Sequence, residues 1–186
     1  MEFAPFQKIA RLSREVVVTE KIDGTNASIF IGEDGTFLTG SRTRWITVDA
    51  DNYGFAKWAH DHRDELMTLG PGQHFGEWWG SGIQRNYAQT RKRFSLFNVG
   101  RWRDGSETPR PACCDVVPIL YEGQLEEYGV MKGVKAALHH LAESGSAAAP
   151  GFMQPEGIVI FHKSSGALFK KTLLHDEKPK GSQEAA

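Results

Sequence analysis

Two apolar runs separated by a glycine turn open this chain and predict two strands with a tight connection. Residues 16–18 are all valine, and residues 27–31 resume an apolar, partly β-branched run. Between them the sequence Glu-Lys-Ile-Asp-Gly-Thr-Asn occupies residues 20–26, with Gly24 marking the turn. We therefore expect Lys21 at the end of a rigid strand, beside a turn that lets a ligand approach the backbone.

A lysine in that position has two interpretations. It can act as a nucleophile when burial or a neighbouring cation favours its neutral amine. It can equally be a solvated lysine next to a hairpin turn, and a four-residue K-x-D-G match taken alone favours that second interpretation. Other segments have to decide between them.

Two carboxylates lie in segments that support the first interpretation. Glu77 stands between Gly76 and a pair of tryptophans, and desolvating a carboxylate in so aromatic a setting is costly without a partner. The alternative interpretation of Glu77 is a glutamate at a strand end whose side chain points into water. Glu156 enters the first of two strands predicted at residues 155–161 and 168–172, and an antiparallel pairing would bring this acid and the lysines of the second strand to one cleft.

The other segments give a mixed set of helices and strands. Residues 32–35 predict a hairpin turn, and residues 40–45, if extended, would place Arg42 and Arg44 on one side, suited to solvent or to phosphate and ribose contact. Phe94 or Phe97 could present a ring to a cleft, although core packing is the better interpretation of that strand alone. The remaining predictions are a helix at 55–69, strands at 93–99 and 116–121 (an edge strand, because of Pro118), a helix at 131–141 and a flexible, exposed linker at 144–151.

Composition limits the classes of protein to which the chain can belong. With 186 residues, 40% apolar and 24% charged, it suits one globular domain over residues 1–175 and a charged, disordered tail over 176–186. The formal net charge of -1 argues weakly against a large nucleic-acid footprint. The adjacent Cys113 and Cys114 give neither a disulfide framework nor a metal-ligand spacing, and no apolar run spans a membrane, so we expect a cytoplasmic protein.

Five segments taken together resemble a known superfamily. Lys21-Ile22-Asp23-Gly24-Thr25-Asn26, Phe75-Gly76-Glu77, the strand around Phe97, Glu156-Gly157-Ile158-Val159 and the lysines near 170 occur in the order of nucleotidyltransferase motifs I, III, IIIa, IV and V. That superfamily contains the ATP-dependent RNA and DNA ligases and the mRNA-capping enzymes. The chain is most similar to the RNA ligase 2 branch, over residues 14 to 172, and five motifs in order are far more specific than one.

The resemblance implies a fold and an activity. The fold is an α+β domain of the ligase type, with mainly antiparallel sheets and flanking helices around a nucleotide cleft. The activity is ATP-dependent RNA ligation through a lysyl-AMP intermediate with Mg²⁺ or Mn²⁺, acting on RNA 5′-phosphate and 3′-hydroxyl ends in a pathway such as RNA repair. Single-stranded ends and nicked duplexes both stay open as substrates, as does the oligomeric state.

The resemblance also implies individual roles. Glu156 is expected to bind the divalent metal, and Glu20 to orient the base through its backbone. The other assignments are Lys21 as nucleophile with Asp23 beside it in the catalytic motif, Glu77 on the ribose, Phe97 on the adenine ring, Arg42 on the sugar-phosphate, Asn26 in the sealing steps, and Lys170 and Lys171 in motif V.

The chain departs from the family pattern in three places. Motif V often has the form K-x-K, whereas here two adjacent lysines face opposite sides of a strand, and we favour Lys170 as the one in the cleft. Asn98 stands where many relatives carry aspartate. The sequence ends soon after motif V, so we expect neither an OB-fold domain nor a C-terminal helical domain. Two alternatives remain: a GTP-using capping-type transferase, and a nucleotide- or RNA-end-binding protein that does not seal.

Overall fold

The computed structural model describes residues 2–177, which form two β-sheets with helices on their outer faces. The strands are β1 (Glu15–Lys21), β2 (Thr25–Ile31), β3 (Phe37–Ser41), β4 (Trp45–Ile46), β5 (Gly72–Gly80), β6 (Lys92–Leu96), β7 (Cys114–Val116), β8 (Ile119–Gln124), β9 (Gly157–His162) and β10 (Ala167–Thr172). The helices are α1 (Phe55–Asp61), α2 (Arg63–Leu66), α3 (Val99–Trp102) and α4 (Lys132–Ser144), with 3-10 turns at Met67–Leu69 and Asn86–Ala88.

These strands pair to form the two sheets. A four-stranded sheet has the order β10-β9-β1-β8, and a six-stranded sheet has the order β4-β3-β2-β5-β6-β7. Among the described strands every pairing is antiparallel except the parallel pair β6–β7, which confirms the expected α+β class.

The turn after Lys21 connects the two sheets. Strand β1 ends at Lys21 in the four-stranded sheet, and β2 begins at Thr25 in the six-stranded sheet. Gly24 permits this crossing, because a Cβ there would lie 2.4 Å from the carbonyl oxygen of Trp78 and 2.7 Å from the Cβ of Trp79. The crossing therefore holds Lys21 where the sheets meet.

Three apolar clusters stabilise this arrangement. One covers the outer face of the six-stranded sheet, against α1 and α2, and includes the buried rings of Phe55, Trp78 and Phe94. A second packs α4 on the outer face of the four-stranded sheet. The third lies between the sheets, where Ile22, Trp79, Tyr87, Val117 and Ala149 close the base of the cleft. The two sheets thus face each other with Lys21 at the edge of this inner cluster.

Two predicted elements prove to be broken. The single helix expected at 55–69 divides at His62, whose backbone (φ -110°, ψ 19°) is not helical and whose ring nitrogen lies 2.8 Å from the Trp58 carbonyl. The single strand expected at 116–121 divides between β7 and β8, which belong to different sheets. The chain changes sheets at Pro118, which has no N–H for a ladder and whose carbonyl accepts a hydrogen bond from the Glu20 amide.

Strand β6 is shorter than predicted. It ends at Leu96, and residues 99–102 form the short helix α3 instead of extending the strand. Asn98 caps that helix, because its side chain accepts a hydrogen bond from the amide of Arg101 at 3.1 Å. The asparagine that departs from the family pattern thus has a structural role here.

One surface prediction is wrong, and the condition attached to another is not met. Residues 144–151 do not form an exposed linker, because Ser146 and Ala149 are buried against the domain. Residues 40–45 do not stay extended, since the amide of Ser41 donates to the Arg44 carbonyl at 2.8 Å and closes a tight turn between β3 and β4. Arg42 and Arg44 therefore lie in a turn, not side by side on a strand.

The longest helix that the structure describes, α4, has 13 residues, and none within residues 2–177 combines the length and apolarity of a membrane span. Most of the tail predicted to be disordered, residues 178–186, lies outside the described residues.

Candidate active site

Lys21 contacts Glu156, the first of three carboxylates in the candidate site. Its Nζ is 2.6 Å from Oε2 of Glu156, and the two side chains are 24% and 7% exposed. The pair meets because Lys21 ends β1 opposite Gly157, the first residue of β9, and Glu156 directly precedes it. The two residues are 135 positions apart in the chain, so this contact is a product of the fold.

Glu77 is the second carboxylate, and the turn after Lys21 holds it. Its Oε2 accepts a hydrogen bond from Asn26 Nδ2 at 2.8 Å, and its Oε1 accepts one from the amide of Gly24 at 3.0 Å. Burial raises the pKa of the Glu77 carboxyl to about 7, against a lowering influence from Asn26, Lys21 and Gly24. This carboxyl therefore titrates near neutral pH.

Asp23 is the third carboxylate, and two residues that the sequence analysis did not select hold it. Its Oδ2 accepts a hydrogen bond from Arg85 Nε at 3.0 Å, and its amide donates to the Tyr87 hydroxyl oxygen at 2.9 Å. Arg85 also donates to the carbonyl of Gln154 at 3.2 Å, and the backbone amide of Glu156 interacts with the Tyr87 oxygen. Arg85 and Tyr87 thus connect the turn after Lys21 to the chain that leads into β9.

No local pattern marks Arg85 or Tyr87 as important. Their contacts join residues 62 to 69 positions apart, which a single sequence does not reveal. Their segment also adopts positive φ at Gln84 (45°), Asn86 (60°), Tyr87 (51°) and Ala88 (52°), which is unusual outside glycine. In the sequence, the one sign of a role for Arg85 and Tyr87 is that they follow soon after Glu77 and the two tryptophans.

The register of the four-stranded sheet separates the two motif V lysines. Lys170 pairs with Val159, which pairs with Thr19, so Lys170 shares the face of the sheet that carries Lys21. Lys171 pairs with Ile158 on the opposite face, which packs against α4, and its Nζ lies 3.0 Å from Asp176 Oδ2. The geometry favours Lys170 as the lysine that faces the cleft.

Phe97 and Arg42 lie on the six-stranded sheet. Glu77 pairs with Ser95, and Phe97 follows two residues later with its amide donating to the Phe75 carbonyl at 3.0 Å, so Phe97 shares the face of Glu77. Its ring is 41% exposed, which leaves a surface on which a base could stack. Arg42 lies in the exposed turn between β3 and β4.

The Glu20 side chain lies on the face of β1 opposite Lys21. Its carboxylate is buried and accepts hydrogen bonds from Ser146 Oγ at 2.6 Å and from the Ala148 amide at 2.8 Å. Burial raises the pKa of this carboxyl, which those hydrogen bonds lower in part. The Glu20 carboxylate thus anchors residues 146–149 and is not directed at the nucleotide cleft. The expected contact with the nucleotide base would have to come from the Glu20 backbone.

The donor set suits a hard cation that keeps its waters. Within residues 2–177 no group of three or more His, Cys, Asp and Glu side chains is arranged to enclose a metal ion. Magnesium usually takes one or two carboxylates together with substrate phosphates and water, and Glu156 beside Lys21 can provide such a ligand. Manganese accepts the same oxygen ligands.

Known proteins resemble this chain in sequence pattern and in fold. The family model described as RNA ligase matches residues 14–172, whereas no curated protein matches the chain. Among solved structures, an apo mutant of Naegleria gruberi RNA ligase has a TM-score of 0.60 at 19% identity, over 86% of this chain and 50% of that one. Mutants of the same ligase with ATP and Mn (TM-score 0.59, 20% identity, 85% and 48% covered) and with AMP and Mn (TM-score 0.60, 19% identity, 87% and 50% covered) are equally similar. These likenesses establish the fold, and the chain spans about half the length of these ligases.

Proposed function

The chain belongs to the RNA ligase family, and we propose that it is an ATP-dependent RNA ligase that works through a covalent lysyl-AMP intermediate. The observation that carries this proposal is the position of Lys21, held 2.6 Å from Glu156 with Glu77 on the turn that follows it. The ATP and manganese in a solved relative of the same fold support the choice of nucleotide and metal. A protein that only bound nucleotides would not need the nucleophile.

Three transfers make up the proposed reaction. The amine of Lys21 attacks the α-phosphorus of ATP, so that an N–P bond forms and the P–O bond to pyrophosphate breaks. The ion pair with Glu156 favours the ammonium form of Lys21, so the lysine must first lose a proton to solvent; a divalent cation bound by Glu156 in place of that pair would favour the neutral amine. An oxygen of the RNA 5′-phosphate then attacks the AMP phosphorus, the N–P bond breaks and Lys21 takes up a proton from solvent. A 3′-hydroxyl next attacks the 5′-phosphorus of the capped RNA and loses its proton to solvent, so that a phosphodiester bond forms and the P–O bond to AMP breaks.

The surrounding residues orient the nucleotide in this proposal. Glu77 receives the ribose, Phe97 stacks on the adenine ring, and Lys170 neutralises phosphate charge from the opposite sheet. Asn26 orients Glu77 through its 2.8 Å hydrogen bond, and Arg42 reaches the sugar-phosphate from the β3–β4 turn. A bound Mg²⁺ or Mn²⁺, held by Glu156 and by water, would neutralise charge on the phosphates.

Nucleotide choice and strand sealing test the proposal. Protein freed of bound AMP is incubated with Mg²⁺ and either ATP or GTP labelled at the α-phosphate, and then with a 5′-phosphorylated RNA. We expect label on the protein from ATP only, followed by AMP-capped RNA and a sealed product. Label from GTP would favour a capping-type transferase. Retention of labelled nucleotide without any covalent transfer would indicate a non-sealing binder. A cytoplasmic role in RNA repair is part of the same proposal.

A further inference from the structure

Three aromatic rings form a row across the inner face of the six-stranded sheet. Opposite residues in antiparallel strands share a face, and the pairings Trp45–Gly40, Gly40–Ser28 and Ser28–Phe75 define one continuous row. Phe97 continues this row, because its backbone amide donates a hydrogen bond to the Phe75 carbonyl. We call Trp45, Phe75 and Phe97 the aromatic row.

These rings are exposed, although they belong to the sheet. Trp45 is 51% exposed, Phe75 54% and Phe97 41%, whereas the other face of the sheet is covered by the helices and their apolar cluster. Isolated exposed apolar residues are common, but an ordered row on one sheet face is a mark of an interaction surface.

Trp45 packs against the sheet. An added Cβ on Gly40 would lie 3.2 Å from two carbons of the indole, so the ring contacts the strand where a glycine leaves room for it. Phe30 contacts the ring in an edge-on arrangement, with centroids 6.1 Å apart. Trp45 is still 51% exposed, so part of the indole is available for stacking.

We propose that Trp45 and Phe75 of the aromatic row bind the unpaired bases of a single-stranded RNA end, next to the adenine on which Phe97 stacks, an inference that rests on the proposed RNA ligase activity. The row begins at Phe97 and shares the face of Glu77, so it continues directly from the nucleotide site. Arg44, exposed in the turn just before Trp45, supplies a cation for the RNA phosphates. Bases within a duplex are already stacked on each other, whereas unpaired bases stack on aromatic side chains. The substrate class is thus a single-stranded end and not a nicked duplex.

Fluorescence anisotropy of the full chain with a labelled 5′-phosphorylated 12-nucleotide RNA tests this inference. Loss of a stacked base costs about 1–3 kcal/mol, so Trp45→Ala or Phe75→Ala is expected to raise the Kd roughly 5- to 150-fold. The slope of log Kd against log salt concentration should not change, because no phosphate contact is removed. Tyr128→Ala removes a ring that is 94% exposed elsewhere and is the matched control.

A pair of conservative variants separates stacking from apolar contact. Trp45→Phe keeps an aromatic face and should retain most of the affinity, whereas Trp45→Leu keeps apolar volume and should not. Equal binding by the two variants, or Kd values for the alanine variants within twofold of the wild type, would overturn the inference. It would also fail if a nicked duplex lost as much affinity as the single strand, or if the row proved to join two copies of the chain in sedimentation experiments.

The same preparation distinguishes this inference from the proposed function. AMP transfer from ATP to the wild-type protein needs no RNA and is measured separately. An AMP adduct together with RNA binding that does not depend on the rings overturns the aromatic row alone. Ring-dependent RNA binding without any AMP adduct overturns the ligase activity and leaves the surface as an RNA-binding one.

Discussion

The three carboxylates of the candidate site are held by different partners, and their chemistry differs accordingly. Glu156 contacts the lysine itself, Asp23 is tied to Arg85, and Glu77 is bound by uncharged donors, the Gly24 amide and Asn26. Of these three, Glu77 has the pKa that burial moves to about 7. The protonation of the Glu77 carboxyl can therefore be tested through the pH dependence of stability.

Replacement of Glu77 by glutamine should change how stability depends on pH. With a folded pKa of about 7 and an ordinary value of 4.5, the folded wild type binds more protons than the unfolded chain between these values. Stability then falls as pH rises through this window, by up to about 3 kcal/mol, and levels off above pH 7. Thermal unfolding from pH 4.5 to 8 should show a steeper decline in the wild type than in Glu77→Gln, because the contribution of Glu20, whose pKa is also raised, is common to both. Parallel curves for both proteins would refute the prediction.

Tyr87 offers a test of how the turn after Lys21 is positioned. Tyr87→Phe keeps the ring contact with Phe152, at a centroid distance of 4.6 Å, but leaves the buried Asp23 amide without its hydroxyl acceptor. We expect a loss of about 1–3 kcal/mol in the free energy of unfolding. We also expect a fall of roughly tenfold in the rate of AMP transfer, with less change in the KM for ATP.

The matched control for this variant is Tyr121→Phe, whose hydroxyl donates to the Gln124 carbonyl on the four-stranded sheet. If both variants slow AMP transfer equally, the hydroxyl of Tyr87 has no special role in positioning the turn.

At the scale of elements, strand register determines which side chains can meet. The three-strand unit β1–β9–β10 places Thr19, Val159 and Lys170 in one row across the sheet. A shift of one residue would exchange Lys170 for Lys171. Gly157 supports this register, since a Cβ there would lie 2.2 Å from the Lys171 carbonyl oxygen.

The two lysines are a matched pair for testing that register. Lys170→Ala should slow AMP transfer about 100-fold or more, because a cation that faces the phosphates is lost. Lys171→Ala removes an exposed ion pair with Asp176 and should cause a loss at least tenfold smaller. Single-turnover AMP transfer at saturating ATP measures both. A larger effect at Lys171 would mean that the opposite face of β10 meets the nucleotide.

At the scale of the whole molecule, the parts of the site that the sequence predicted are those carried by short contiguous patterns. Lys21 at a strand end, Glu77 between its aromatic neighbours and the β9–β10 hairpin follow from local alternation and turn residues. Local patterns do not predict the hydrogen bonds of Arg85 and Tyr87 to Asp23, or that of Ser146 to Glu20. These contacts join residues 62 to 126 positions apart. The segment 144–151 looked like a linker because its small residues carry no periodicity, yet small residues are what fit beside a buried carboxylate.

The most direct measurement of the central claim is mass spectrometry of the purified protein after incubation with ATP and Mg²⁺. We predict an adduct with the mass of AMP, mapped by peptide analysis to Lys21, stable in base and released by acid as a phosphoramidate. The adduct should be absent from Lys21→Ala and present in Lys163→Ala, a control lysine that forms surface ion pairs with Glu15 and Glu122. No adduct on folded, AMP-free protein, or an adduct on any residue other than Lys21, would contradict the account.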